Sequence, residues 1–159
     1  MYLNEWKIIR TLLISGKKTA SELLSESDLK PANETSFIRK KLMVLFQTFQ
    51  EQLREKLAPD TIKQLAIPLV FYLDDLVLKT AFTSRYAEWA LLQEHFYNTT
   101  NGGTLFYKYL EKYLNETDIH PIVYQLYYFL LKDGFGGMYL HDTETQQNYL
   151  SLLENKLCL

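Results

Sequence analysis

Apolar residues recur every three or four positions along most of the chain, the spacing that puts them on one face of a helix. Leu3, Trp6, Ile9, Leu12 and Leu13 form the first such stripe. Gly16 marks either an interruption or a point the helix runs through, because Ala20, Leu23 and Leu24 keep the pattern up to a polar stretch from Ser25 to Asn33. With Pro31 inside it, that stretch reads as a loop. Asn33 or Thr35 is placed to cap a second helix, whose apolar positions Phe37, Leu42, Val44, Leu45, Phe46 and Phe49 run on to Leu53, with an end near Lys56. Pro59 and Asp60 suit the first turn of a third helix reaching about Lys79. Pro68 within it removes a backbone donor, which predicts a kink or two separate pieces. From Leu65 to Leu78 this segment is apolar on nearly all sides except at Asp74 and Asp75, so it belongs in the middle of a bundle.

The spacing of Tyr86, Trp89, Leu92 and Phe96 predicts a helix over Ser84 to Phe96, broken by the polar run Asn98 to Gly103. Thr104 to Leu114 follows as a helix through Leu105, Phe106, Tyr109, Leu110 and Tyr113. Asn115 to His120 is a connector. Pro121 opens an aromatic-rich helix to Leu131, ended by Gly134, Gly136 and Gly137 around Phe135, and a last helix covers Thr143 to Leu157. About seven helical segments with short connectors, and no sustained alternation of period two, predict an all-α bundle. No internal repeat or low-complexity tract interrupts it.

Composition narrows the class. At 159 residues the chain, from 1 to 159, fits one domain with a proper core. A hydrophobic content of 47% and a charged content of 23% are those of a globular protein, and six Gly and four Pro leave little punctuation for a many-stranded sheet. A net charge of −2 argues against nucleic-acid binding, which needs a concentrated basic face. The one basic triplet, Arg39-Lys40-Lys41, reads as a solvated helix face. A single cysteine, Cys158, excludes an intrachain disulfide and fits a reducing compartment. The first ten residues carry Glu5, Lys7 and Arg10 and so lack the pattern of a signal peptide. The longest apolar run, Leu65 to Leu73, is far short of the roughly 20 residues that span a bilayer. A soluble cytoplasmic domain is the expectation.

Candidate chemistry is sparse. His95, His120 and His141 fall on separate segments without metal-ligand spacing, so no metal site and no cofactor is expected. Cys158 sits near the terminus, and no Gly-x-Ser-x-Gly pattern occurs, so no catalytic nucleophile is assigned. Gly102-Gly103 before a helix offers backbone amides, but without the lysine of a phosphate loop it reads as the start of a helix. Asp74-Asp75 is the one acidic pair in an apolar context. Adjacent helical residues point about 100° apart, so the two cannot share a proton as a face-to-face dyad does. On the structural reading one carboxylate reaches solvent while the other caps, or pairs with a base such as Arg85. On the functional reading the pair lines a groove used by a protein partner. Twelve Tyr and nine Phe at helical spacing read first as core. Tyr127 and Tyr128 cannot both point inward, so one of them faces a second helix layer or a partner.

Several of these segments, in order, resemble one family, the DotU/TssL proteins of type VI and type IVB secretion systems. Leu73-Asp74-Asp75 resembles the family's Leu-Asp-Glu at the end of its central helix, and Trp89 with Leu91-Leu92 resembles its Trp-x-x-x-Ser-Leu-Leu block. His95-Phe96-Tyr97-Asn98 with Gly102, Gly103 and Phe106 is similar to Phe-His-Asn-x-x-x-Gly-Gly-x-x-Phe-Phe. Tyr127-Tyr128, Leu130, Gly134-Phe135, Gly137 and Tyr139 resemble Leu-Tyr-Tyr-x-Cys-Leu-x-x-Gly-Phe-Glu-Gly-Arg-Tyr. The likeness covers roughly Leu65 to Leu140, with only helical character before it. The chain departs from the pattern at Gln125 and Gly136, where the family has Glu, and at Met138, where it has Arg. A charge pair near that turn is thereby lost.

The resemblance implies two small three-helix bundles packed together, followed by a transmembrane helix after Leu159 that this sequence does not include. It implies residence at the cytoplasmic face of a bacterial inner membrane. It implies a non-catalytic scaffold that docks an IcmF/TssM-type protein and baseplate components, with at most weak homodimerisation of this part. The competing reading, drawn from the residues, is a small helical enzyme or ligand-binding regulator using Asp74, His95 and nearby tyrosines, and it requires a pocket that gathers them.

Overall fold

The structure, a computed structural model, describes residues 2–22, 32–81 and 89–159. Among them are seven α-helices and no strand. They are α1 (Leu3–Ser21), α2 (Ala32–Leu53), α3 (Pro59–Ala81), α4 (Leu92–Tyr97), α5 (Gly102–Asn115), α6 (Pro121–Lys132) and α7 (Thr143–Leu157), with a 3₁₀ turn at Gly137–Tyr139. The all-α expectation therefore holds. None of the described helices is long and apolar enough to cross a membrane.

Hydrophobicity sets the layout. Every residue of α3 from Leu65 to Asp74 is buried, and only a helix with neighbours all round can hide such a run. α1 and α2 pack together and against α3, while α5 and α6 both contact α7, and α3 also touches α4, α5 and α6. The result is two groups of three helices with α3 serving both. Pro68 lies inside α3, which runs through it as one element and not as two pieces. α1 likewise runs through Gly16, where the missing side chain lets the helix approach Leu73; an added Cβ would stand 2.8 Å from Leu73 Cδ2.

Three boundaries differ from the sequence expectation. α2 begins at Ala32, so Asn33 and Thr35 lie within it and are not its caps. Its apolar stripe is only partly buried: Leu42, Phe46, Phe49 and Leu53 enter the core, whereas Phe37 and Val44 are 58% and 60% exposed. The helix expected over Ser84 to Phe96 is, in its described part, only α4; Trp89, Ala90 and Leu91 are not helical, and Tyr86 lies outside the described residues.

The α6 terminus shows how a glycine directs the chain. The N–H of Phe135 donates to Leu130 O at 3.0 Å and that of Gly134 to Leu131 O at 3.2 Å, with Gly134 at φ +101°. These are the paired bonds of a Schellman ending, which satisfy carbonyls a helix otherwise leaves open. Phe135 is thereby turned into the core, 2% exposed, with its ring 4.1 Å from that of Phe106. Gly137, at φ +56°, then lies against the start of α5, where an added Cβ would come within 2.7 Å of Gly103 O.

The two glycines should respond differently to Ala. At Gly134 no atom lies within 4 Å of the added Cβ, so only backbone strain opposes the change, a loss of about 1–2 kcal/mol. Gly137→Ala adds a clash with rigid backbone, and about 2–4 kcal/mol is expected. Urea unfolding of both variants checks the order; equal losses would show that α5 yields to the turn without resistance.

Candidate functional site

The C-terminal part of α3 carries the acidic pair, and the helix separates its two members. Asp75 is half-buried and reaches Lys79, one turn on, at 2.8 Å. Asp74 is 1% exposed. Its Oδ1 accepts from the indole Nε1 of Trp89 at 2.9 Å and from the backbone N–H of Leu92 at 2.8 Å. Its Oδ2 accepts from the backbone N–H of Gln93 at 2.9 Å and from the Gln93 side-chain Nε2 at 3.1 Å. A carboxylate offers about four lone-pair positions, and all are occupied by N–H donors. No cation pairs with it among the described residues. Taking such a group out of water costs several kcal/mol, offset here by hydrogen bonds worth about 1.5–3 kcal/mol each when one partner is charged.

This arrangement explains why the chain after Trp89 departs from a continuous helix. Leu91 occupies the N-cap position of α4 with φ −58° and ψ 133°, and its apolar side chain cannot satisfy the first amides. Asp74, distant in sequence, supplies the missing acceptors. Gln93 carries the connection onward, because its Oε1 accepts from the N–H of Gly102 at 2.7 Å, where α5 begins. Gly102 has no room for a side chain: an added Cβ would stand 2.6 Å from both Gln93 Oε1 and Phe71 Cδ1. Its amide is committed to Gln93, which leaves the glycine pair as a helix start.

The remaining motif residues form the adjoining layer. Phe106 is fully buried with its ring 4.8 Å from that of Tyr127, and Gly103, Phe135 and Gly137 meet beside it. Tyr127 is fully buried, and its hydroxyl has no hydrogen-bond partner among the described residues. Burial pushes its ionisation well above the ordinary tyrosine value, with the Tyr113 and Tyr109 hydroxyls adding to the shift. Tyr128 faces α7 and donates to Glu154 Oε1 at 3.2 Å. Tyr139 packs on Tyr107 with ring centroids 4.6 Å apart, and the Tyr107 hydroxyl donates to Gly136 O at 2.7 Å. Of the departures from the family pattern, Gln125 accepts from the Trp6 indole at 2.6 Å, tying α6 to α1, while Met138 is 46% exposed.

A second polar cluster joins α1, α3 and α6. Asp133 accepts from the Tyr72 hydroxyl and forms an ion pair with Lys17 at 2.8 Å, and Lys79 donates to Gly134 O at 2.9 Å beside it. Partial burial alone would raise the Asp133 carboxyl, but hydrogen bonds from Lys17 and Tyr72, with the Lys17 and Lys79 charges, hold it below the ordinary value. Tyr72 shifts upward through burial, the hydrogen bond to Asp133 and the negative charge of Asp133 and Asp75.

The residues of the enzyme reading are not gathered. His95 is exposed with its ring edge-on to Phe96, and no hydrogen bond joins it to Asp74. His120 caps α6, its Nδ1 accepting from Ile122 N at 3.2 Å. No group of three or more His, Cys, Asp or Glu side chains is arranged to hold a metal among the described residues. Arg85, the base suggested for the acidic pair, lies outside them. Gln93, Tyr72, Lys17 and Asp133 were not found from the sequence, because each acts on a partner on a distant segment and none stands out in its own window.

Asp74→Asn replaces an acceptor with an amide donor facing other N–H groups, and a loss of about 2–4 kcal/mol in urea unfolding is expected. Asp75→Asn should cost under about 1 kcal/mol, as for other partly solvated pairs. Equal effects would mean that burial does not distinguish the two. Because Asp133 is held below its ordinary value of 3.8, its contribution is present above that pH and is lost as pH falls through the lower folded value. Asp133→Asn should therefore lower stability at neutral pH, by under about 1 kcal/mol given its exposure, and flatten the acid limb of the stability profile. A profile parallel to the parent's would show that the cluster carries no linked proton.

Comparison with known proteins places this geometry. The model of the family described as type VI secretion system protein DotU matches residues 18–157. Among solved structures, DotU from Francisella novicida superposes with a TM-score of 0.78 at 23% identity, covering 98% of this chain and 99% of that one. SciP/TssL from enteroaggregative Escherichia coli 042 gives 0.69 at 20% identity, covering 95% of this chain and 88% of that one. At such identities these two likenesses speak to the fold. No curated protein matches the sequence. With its family pattern matched from the last turn of α1 through α7, this chain belongs to the DotU family of type VI secretion system proteins.

Proposed function

We propose that this chain is a non-catalytic scaffold subunit of a type VI secretion membrane complex, standing at the cytoplasmic face of the inner membrane. There it docks an IcmF/TssM-type protein and baseplate components. The observation that carries the reading is the family match across residues 18–157. The use made of Asp74 supports it: the one acid in an apolar setting is consumed in holding α3, α4 and α5 together. An acid or base at work in a reaction needs an open coordination position, and this carboxylate keeps none. The enzyme or ligand-regulator alternative rests on Asp74 and His95 meeting in a pocket, and no specific observation favours it.

For docking, the two carboxylates take different parts. Asp75 keeps 27% of its side chain exposed and is the member a partner can reach. Asp74 acts indirectly, by fixing α4 and the residues before it in position. The natural full-length protein, reconstituted in a bilayer, should co-isolate with its IcmF/TssM-type partner. Asp75→Lys should weaken that association about tenfold, roughly 1.4 kcal/mol, while the circular dichroism spectrum stays unchanged. Absence of association in the bilayer would overturn the scaffold reading; association indifferent to Asp75→Lys would move docking elsewhere on the surface.

A further inference from the structure

The face where α1 and α2 pack together carries an apolar groove that no other described helix covers. On α2, Phe37, Val44 and Leu45 lie at helical spacing along it, with Phe37 58% and Val44 60% exposed. The opposite wall comes from α1 through Ser15, Lys18 and Thr19. A helix places most of its phenylalanines and valines inside, as α2 itself does with Phe46 and Phe49. An exposed pair two turns apart, beside a concavity, marks a surface that meets another molecule. From Phe37 to Val44 the helix advances about 10 Å, the length over which an amphipathic helix presents anchors at i, i+4 and i+7.

Charge selects the occupant. Lys41 is committed: it pairs with Glu22 at 3.1 Å and its ammonium lies 4.7 Å above the Phe37 ring. Lys18 and Lys40, which also line the groove, are exposed and have no acidic partner among the described residues. The groove thus offers an apolar floor flanked by two ammonium groups that have no acidic partner among the described residues, with Glu22 beside it held by Lys41. A second copy of this chain would bring another basic-rimmed face if it docked symmetrically, and like charges would then oppose each other. We propose that the α1/α2 groove seats an acidic amphipathic helix of a partner protein, its apolar stripe on Phe37, Val44 and Leu45 and its carboxylates against Lys18 and Lys40. This surface is separate from Asp75, so the proposal does not depend on which residues dock the membrane partner.

The probe is a fluorescein-labelled helical peptide with Leu at i, i+4 and i+7 flanked by Glu, set against the same peptide with Lys for Glu. Anisotropy at low salt should show the Glu peptide binding at least tenfold tighter, with affinity falling as salt rises. Phe37→Ser and Val44→Ser, both at exposed positions, should each weaken it about tenfold, and Lys18→Glu with Lys40→Glu should transfer the preference to the Lys peptide. Amide chemical-shift changes in the parent protein should map to α1 and α2. Equal binding of the two peptides, no binding of either at millimolar concentration, or shifts confined to other helices would overturn the proposal. So would concentration-dependent dimerisation abolished by Phe37→Ser, which would assign the groove to a second copy. Binding to phosphatidylglycerol vesicles lost in the same variant, without preference for the Glu peptide, would assign it to a lipid surface.

Discussion

One buried carboxylate organises the centre of this protein. Asp74 stands at the end of the most enclosed stretch of α3, and its two oxygens gather the Trp89 indole, two backbone amides and the Gln93 side chain. Through Gln93 the connection reaches the first amide of α5. Three helices are thus tied through hydrogen bonds that leave no acceptor open. The hydrophobic driving force is non-directional, whereas this set of bonds is satisfied in one arrangement of α3, α4 and α5. The same saturation turns an acid that would otherwise look chemically poised into a fixed part of the frame.

The glycine corner after α6 does the complementary work in the second group of helices. The Schellman ending at Gly134 turns Phe135 inward, and Gly137 brings the backbone against Gly103 at the start of α5. Gly102 receives the Asp74–Gln93 connection and Gly103 receives the corner, so the two constraints meet at neighbouring residues. The first turn of α5 is therefore positioned from both sides. Under the scaffold reading proposed above, such rigidity favours docking, since less ordering remains to be done on binding.

Outside this frame the surface divides by charge. Asp75 and Asp133 sit among Lys17 and Lys79 where α1, α3 and α6 meet, and their charges are largely matched. Along α1 and α2 the balance is different, with Lys18 and Lys40 flanking exposed Phe37 and Val44. The matched cluster ties helices together. The strip along α1 and α2, whose lysines have no acidic partner among the described residues, is the surface proposed above to meet another molecule.

Much of the architecture was legible in the chain itself. Periodicity placed α6 and α7 nearly to the residue and marked α3 as the central helix, because helix formation and amphipathicity are properties of a local window. The glycines around Phe135 announced a turn for the same reason, and ordered motifs named the family. What the window could not hold was every interaction between distant segments. The start of α4 depends on Asp74 eighteen residues earlier, so the stripe through Trp89 read as one helix although Trp89, Ala90 and Leu91 are not helical. Phe37 and Val44 share the stripe of α2 with buried residues, and their exposure follows from how the helices pack, which no local window holds. The saturation of Asp74 is likewise a property of the tertiary structure, since its burial and the identity of its donors arise only when the helices come together.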